Sequence, residues 1–129
     1  MLTITARNDQ EISTILDYVH DRQYKIEDIQ YDAQSRTLRI PIEIEIPTPR
    51  SVLGIKFNGK SSGLGTLIIR SADDWKVVED RSEIGYGDIN RILCRPGALF
   101  IEGSLPVNLE VKVATIDLEF SAPDNVLPA

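Results

Sequence analysis

The chain has 129 residues, of which 42% are hydrophobic and 26% charged, and 14 basic against 20 acidic residues give a net charge of −6. This length is that of one domain with a real core, and the ordinary composition excludes a disordered chain or a coiled coil. Because an acidic surface with interspersed charges repels phosphate backbones, we expect no nucleic-acid partner.

The single cysteine, Cys94, cannot form an internal disulfide. No apolar stretch approaches the roughly 18–20 residues that span a bilayer, so no membrane partner is expected. The beginning of the chain alternates and soon becomes polar, unlike a signal peptide. These features predict a cytoplasmic protein.

The chain opens with a predicted strand over residues 2–6, followed by its only good helix pattern, over about residues 9–20. Asn8 or Asp9 can cap this helix, and Glu11 stands in capping-box position relative to Asn8. One apolar stripe at helical spacing consists of Ile12, Ile15, Leu16 and Val19. Since three turns are marginal in isolation, the helix is predicted to pack on a sheet through this stripe.

From residue 25 onward, apolar residues recur at every second position, which predicts strands. The first pair is a strand over 25–31 and its hairpin partner Thr37–Ile46, which Pro47-Thr48-Pro49 should end. Pro41 lacks an amide proton, so the second strand should lie at an edge or carry a bulge there. Further strands are predicted over residues 52–57, 64–70, 76–79, 89–95, 99–102 and from 107 to about 120, with a loop at 58–63 and turns at 32–35, 71–74, 80–88 and 96–97.

The last of these strands changes its apolar positions from odd to even numbers, so a bulge or bend is expected at Ala114–Thr115. Together the elements predict a mainly β domain, α+β by count. It should be an antiparallel sandwich or partly open barrel of about eight strands, with one N-terminal helix packed on a sheet. The domain should span residues 1–120, followed by a loosely ordered tail, 121–129.

Residues Gly54 to Ser61, GIKFNGKS, match the phosphate-loop pattern of glycine, four residues, glycine, lysine and serine. In a true phosphate loop, Lys60 would contact the phosphates and Ser61 would hold magnesium. Gly59, Lys60 and Ser61 are therefore candidate nucleotide-binding residues. The alternative, a glycine-rich loop between adjacent strands, is favoured because strand periodicity runs through the segment and no helix pattern follows it.

Acidic residues crowd one third of the chain: Asp73, Asp74, Glu79, Asp80, Glu83 and Asp88. They could bind calcium or act as the carboxylate pair of a small barrel enzyme, but no calcium-loop spacing is present and a solvated rim is simpler. The candidate partner-binding residues are Tyr86, which lies between two glycines, and Asp73, Asp74 and Trp75, where a strand begins. Trp75 is also typical of a large core residue, and this interpretation is the favoured one.

Neither His20 nor Cys94 is marked as a catalytic group. His20 follows the helix and can bond its last carbonyls, while Cys94 lies in an apolar run as a small buried hydrophobe would. We therefore predict no catalytic residue, no metal site and no cofactor. The expected function is non-enzymatic binding of a ligand or protein partner, or homodimer formation through an edge strand.

The segment VHDRQYKIEDIQYDAQSRTLRIPIEI is followed in order by IKFNG, by Asp88-Ile89 and by ALFIEGSLPVNLEVKV. This order resembles small bacterial β-rich proteins that include immunity proteins of polymorphic toxin systems. In those proteins a His-Asp pair precedes a strand, a turn and a long alternating strand. The resemblance covers roughly residues 18–120. It implies a β-rich fold that binds a partner protein and has no catalytic residues.

Overall fold

The computed structural model describes residues 1–80 and 85–129. The described residues form eleven strands, one α-helix and one 3₁₀ helix, which confirms the predicted mainly β class but exceeds the predicted eight strands. The elements in chain order are β1 (Leu2–Ala6), α1 (Asp9–Val19), β2 (Gln23–Lys25), the 3₁₀ helix (Ile26–Asp28), β3 (Gln30–Asp32), β4 (Thr37–Val52), β5 (Ile55–Ile69), β6 (Ala72–Asp80), β7 (Tyr86–Asp88), β8 (Arg91–Arg95), β9 (Ala98–Glu102), β10 (Val107–Val113) and β11 (Leu118–Ala122).

The strands form three antiparallel sheets. A five-stranded sheet has the order β1-β11-β5-β4-β3, a four-stranded sheet the order β6-β10-β9-β8, and β2 pairs with β7 alone. Within the described part of the chain, none of these sheets closes into a barrel. The arrangement is therefore the sandwich-like alternative of the two predicted architectures.

The helix α1 begins and packs as predicted. Asn8 Oδ1 accepts a hydrogen bond from Glu11 N at 2.9 Å, and Glu11 Oε1 accepts one from Arg7 N at 3.1 Å. These bonds satisfy amides that have no partner within the helix. The helix buries Ile12, Ile15 and Val19 and lies against β1 and β8.

The core consists of the inward-facing alternate residues of the long strands. In β4 these are Leu38, Ile40, Ile42 and Ile44; in β10 they are Val107, Leu109, Val111 and Val113. Both sets confirm the period-two prediction. Phe120 of β11 is fully buried, and its ring stacks on that of Tyr18 from α1, with centroids 6.0 Å apart.

The predicted strand over residues 25–31 is wrong. The chain there forms the end of β2, the 3₁₀ helix and most of β3. Ile26 and Ile29 are three residues apart and both pack against the core. A 3₁₀ turn brings residues at this spacing to one side, whereas a continuous strand would send them to opposite faces.

The hairpin of β4 and β5 is longer than predicted. Pro47-Thr48-Pro49 does not end β4, and the expected loop at 58–63 is part of β5. The turn consists of Leu53 and Gly54, with φ of 52° and 78°. Positive φ at both positions is typical of the two-residue type I′ turn, whose twist matches that of the flanking strands.

The prolines fit this strand because of their register. In a two-residue hairpin the pair that flanks the turn, here Val52 and Ile55, is hydrogen-bonded, and bonded pairs then alternate with non-bonded pairs. Pro41, Pro47 and Pro49 all fall at non-bonded positions, where the backbone nitrogen faces the outer edge. Their missing amide protons therefore cost the hairpin no hydrogen bond. Since β3 pairs only with Thr37–Arg39, Pro41 lies at an edge of the described sheet, as predicted.

The predicted break at Ala114–Thr115 is confirmed, because β10 and β11 belong to different sheets. The tail over 121–129 is more ordered than predicted. Ala122 still belongs to β11, Val126 is buried, and Leu127 N donates to Glu45 O at 2.9 Å. One apolar anchor and backbone bonds to the body hold this segment in place.

The acidic turn predicted over residues 80–88 is only partly described. Glu83 lies outside the described residues, and residues 86–88 form β7 instead of a turn. The predicted turn at 71–74 is also shorter, since β6 already begins at Ala72.

Candidate functional site

The outer part of the β4–β5 hairpin, Pro47–Gly63, carries no buried residue, although every residue in it is described. We call this segment the arm, and the other described residues, 1–46, 64–80 and 85–129, the body. The strands of the arm pair with each other in a continuous register from Pro47–Lys60 to Val52–Ile55. The sequence prediction missed the arm because it divided these residues between two strands and a loop.

The end of the arm is apolar. The side chains of Val52, Ile55 and Phe57 are 55%, 60% and 51% exposed, and Leu53 in the turn is 97% exposed. Residues opposite each other share a face, so Val52, Ile55 and Phe57 continue the face on which Ile44 is buried. The inner surface of the sheet thus runs beyond the body, and none of the residues that the structure describes covers it there.

The backbone of the turn carries strain at an apolar residue. Leu53 has a φ of 52°, a conformation that L-residues other than asparagine and aspartate rarely adopt. The side chain makes no compensating contact with the body, because it is almost fully exposed.

The arm is basic, although the whole protein is acidic. It contains Arg50, Lys56 and Lys60 and no acidic residue, so the remainder of the chain has a net charge of −9. The expectation of interspersed charge is therefore wrong for this segment. The hairpin concentrates positive charge because it folds two stretches without acids against each other.

The two edges of the arm differ. On β4, Pro47 and Pro49 remove the outward amide protons that another strand would need. On β5, the outward positions between Lys56 and Leu64 hold no proline, and β11 covers β5 only from Thr66 onward. One edge is closed to strand addition by proline, and the other is unpaired among the described strands.

A cleft of about 590 Å³ lies at the base of the arm. Its wall includes Tyr86, Leu64, Lys25 and Glu43. Tyr24 also lines it, and the Tyr24 hydroxyl is buried without a hydrogen-bond partner in the described structure. Burial, aided by the negative charge of Asp88, raises the pKa of Tyr24, so this phenol is neutral at physiological pH.

Glu45 ties the arm to the body. Its carboxylate lies 3.3 Å from Arg22 Nη1 and 3.5 Å from Lys60 Nζ. Desolvation alone would raise the pKa of Glu45, but the two cations outweigh it and lower the pKa. Glu45 is therefore ionised at neutral pH and neutralises part of the charge of Lys60.

The predicted partner-binding residues do not form one site. Tyr86 lines the cleft, while the other three lie at the start of β6 in another sheet. Arg36 Nη2 and Nε contact Asp73 Oδ1 at 2.6 and 2.8 Å. Asp74 Oδ1 accepts a hydrogen bond from Trp75 N at 2.9 Å, and the Trp75 side chain packs against the core.

The candidate nucleotide-binding residues lie in an extended strand. Gly59, Lys60 and Ser61 belong to β5 and face Thr48, Pro47 and Ile46. Ser61 Oγ lies 2.5 Å from Thr48 Oγ1. Successive amides of a strand point to opposite edges, so they cannot converge on one phosphate as the amides of a phosphate loop do. The glycine-rich loop that we expected instead is also a strand.

His20 and Cys94 are the two residues that the sequence analysis weighed as catalytic groups. His20 Nδ1 lies 3.2 Å from Asp21 Oδ2, with both side chains largely exposed. Burial, with the neighbouring Asp9 carboxylate, raises the pKa of Cys94 to about 11, so the unreactive thiol form dominates at neutral pH.

Within residues 1–80 and 85–129, no three His, Cys, Asp or Glu side chains are grouped as metal ligands. None of the helices described is long and apolar enough to cross a membrane.

Three comparisons with known proteins were made for the whole chain. The resemblance to immunity proteins remains a prediction, since it received neither support nor contradiction from them. Family models, curated proteins and solved structures all gave no match to this chain.

Proposed function

We propose that this protein is a non-enzymatic interaction module and that the arm is its contact element. The observation that carries the proposal is the end of the arm, where Leu53 is 97% exposed and strained beside three further exposed apolar side chains. Exposed apolar groups gathered at one place mark interaction sites in soluble proteins.

The composition of the arm also supports binding to another protein. Phe57 and Arg50 occupy directly opposite positions, which places an aromatic residue and an arginine on the same face of the arm. These two types of side chain are enriched at the centres of protein interfaces, where they contribute most of the binding energy. Because the hairpin is formed before binding, it presents them with less loss of conformational freedom than a disordered segment would.

Two features from the sequence fit the same proposal. An immunity-type role, which the resemblance implies, would make the arm the surface that meets a partner protein in the cytoplasm. The cleft at the base of the arm, with Tyr86 in its wall, offers a second concave surface close to the body. Tyr86 thus keeps the partner-binding role proposed from the sequence, whereas Asp73, Asp74 and Trp75 lie on β6, which belongs to a different sheet from the arm.

The test is site-specific photo-cross-linking in an extract of the cells that produce the protein. A photoreactive residue replaces Phe57 on the arm or, as the matched control, Val78 on β6; these side chains are 51% and 48% exposed. We expect cross-links from position 57 only, and their loss when Leu53 and Ile55 are both replaced by serine. Equal cross-linking from Val78, or none from position 57, would contradict the proposal.

A further inference from the structure

We infer that the open edge of β5 pairs with the same edge of a second copy of this chain, in antiparallel orientation, with a two-fold axis at Gly59. The pairing joins two arms into a four-stranded ribbon in the order β4-β5-β5-β4. The inference rests on the proposed function and names the partner of the arm. Such pairing is isologous, so it closes as a dimer.

The backbone supplies the first reason. The outward positions of β5 beyond the body are Lys56, Asn58, Lys60, Ser62 and Leu64, and none of them pairs on that edge with another strand of the described chain. An added strand bonds to these groups in the way the strands of a sheet bond to one another. The β4 edge of the arm is closed by two prolines, so strand addition is directed to a single side.

The register follows from what already occupies β5. Outward positions carry even numbers and must face even positions of the second copy to form hydrogen bonds. Ser121 of β11 occupies the edge at Thr66, so the turn of the second arm must stop before that point. An axis at Gly59 places Gly54 opposite the partner's Leu64 and clears β11. An axis at Lys60 would bring Gly54 opposite the partner's Thr66, where β11 lies.

Charges are compatible with this register. Lys60 faces the partner's Asn58, so the lysines of the two copies do not meet directly. Lys56 faces the partner's Ser62, which is itself opposite Glu45 within each copy. Residues directly opposite share a face, so Lys56, the partner's Ser62 and the partner's Glu45 lie in one row across the ribbon. The basic end of each arm thus meets the acidic base of the other.

Apolar groups are matched as well. Ile55 faces the partner's Gly63, a position without a side chain of its own. In each copy the Ile46 side chain lies over Gly63, where an added Cβ would meet Ile46 Cδ1 at 2.5 Å. Ile55 and Phe57 therefore come next to the partner's Ile46, a half-buried residue at the rim of the core. The uncovered face of one arm continues the core of the other.

The experiment compares two proline substitutions at outward positions on opposite edges of the same arm. Asn58→Pro removes an outward amide of β5 and no hydrogen bond within the hairpin. Ser51→Pro does the same on the β4 edge and is the matched control. Masses are measured by light scattering on the full chain. We expect twice 14.4 kDa for the wild type and for Ser51→Pro, and 14.4 kDa for Asn58→Pro.

A second measurement on the wild type needs no substitution. The outward amides of Asn58 and Lys60 should exchange their hydrogens more slowly as the protein concentration rises, because they become bonded only in the dimer. The outward amide of Ser51 on the other edge should not respond. This readout does not depend on the folding of a variant.

Three results would overturn the inference. These are a wild type of 14.4 kDa at about 100 μM, a dimer that survives Asn58→Pro, and equal loss of the dimer with Ser51→Pro. A monomer that still cross-links from Phe57 to another protein would refute the dimer and leave the proposed function standing. A monomer without such cross-links would refute both.

Discussion

Replacing Leu53 by asparagine should stabilise the arm while removing part of its contact surface. Leu53 is the first residue of the type I′ turn and has a φ of 52°, followed by Gly54 with a φ of 78°. Asparagine followed by glycine is the sequence that this turn favours. The substitution therefore relieves backbone strain without changing the register of the hairpin.

The magnitude follows from conformation and exposure. The left-handed conformation costs an ordinary L-residue roughly 1–2 kcal/mol, and asparagine recovers a large part of this cost. Since the Leu53 side chain is 97% exposed, its removal sacrifices almost no packing. We expect a gain of about 1 kcal/mol in the local stability of the arm, which lowers the fraction of open hairpin about fivefold.

The assay is hydrogen exchange at the amides that cross-link the two strands of the arm. Val52 and Ile55 form the hydrogen-bonded pair next to the turn, and Arg50 and Phe57 form the next one. At these four amides exchange through local opening should slow about fivefold in Leu53→Asn. Core amides such as that of Val111, which need larger openings, should change much less.

The control is Leu53→Ala, which removes the apolar side chain but keeps an ordinary L-residue in the turn. Its arm amides should exchange at the rate of the wild type. Faster or unchanged exchange in Leu53→Asn would refute the reasoning, and so would equal slowing in Leu53→Ala. The first result would mean that the turn is unstrained, and the second that the exposed side chain itself destabilises the hairpin.

Three further predictions concern the body. In Gly87→Ala the new Cβ would lie 2.6 Å from the hydroxyl of Tyr24, a buried side chain. The free energy of unfolding, measured in urea, should therefore fall by about 1–3 kcal/mol, and a fall of less than about 0.5 kcal/mol would contradict this contact. Asp88→Asn removes the carboxylate that accepts from Ser104 Oγ at 2.6 Å and should cost about 1–3 kcal/mol in the same assay, whereas full stability would show that the bond is dispensable. The pKa of Cys94, raised from 9.0 to about 11, implies that the folded state loses stability as pH rises from 9 toward 11, because the unfolded chain loses the thiol proton first. Labelling of Cys94 by iodoacetamide at pH 8 should accordingly be slow in the native protein. Labelling as fast as in urea would contradict the raised pKa.

The alternation of apolar residues predicts strands well and burial poorly. Ile42 and Phe57 belong to equally clear period-two patterns, yet the first is fully buried and the second is 51% exposed. The difference lies in what covers each residue, since the body lies against the inner half of the hairpin and nothing in the described chain lies against the outer half. Contacts of this kind are long-range, and a local pattern does not contain them.

The prolines of β4 show a second limit. From the sequence, Pro47-Thr48-Pro49 is a strand terminator, because proline cannot donate to a sheet. The observed register allows both prolines within β4, because their backbone nitrogens face the outer edge of the strand. Lys60 and Asn58, which lie opposite them, therefore lose no hydrogen bond within the hairpin. The register is fixed by the two-residue turn at Leu53-Gly54. Its first residue is a leucine, whereas such turns usually have asparagine or aspartate at this position. Leu53, which hides the turn from sequence-based prediction, is also the most exposed apolar residue at the end of the arm.

Charge alone would keep two such arms apart, since each carries three basic residues and no acid. Pairing between them must therefore draw its favourable free energy from backbone hydrogen bonds and from covering Ile55 and Phe57, while the register limits the repulsion. An axis at Gly59 does this by setting each lysine opposite a neutral residue and by lining up Lys56 with the partner's Glu45. A shift of two residues per strand would lose either hydrogen-bonded pairs or this separation of charge. Repulsion between the lysines thus disfavours other registers and chance contacts between arms. In the remaining register the β5 edge forms its hydrogen bonds and the apolar end of each arm is covered.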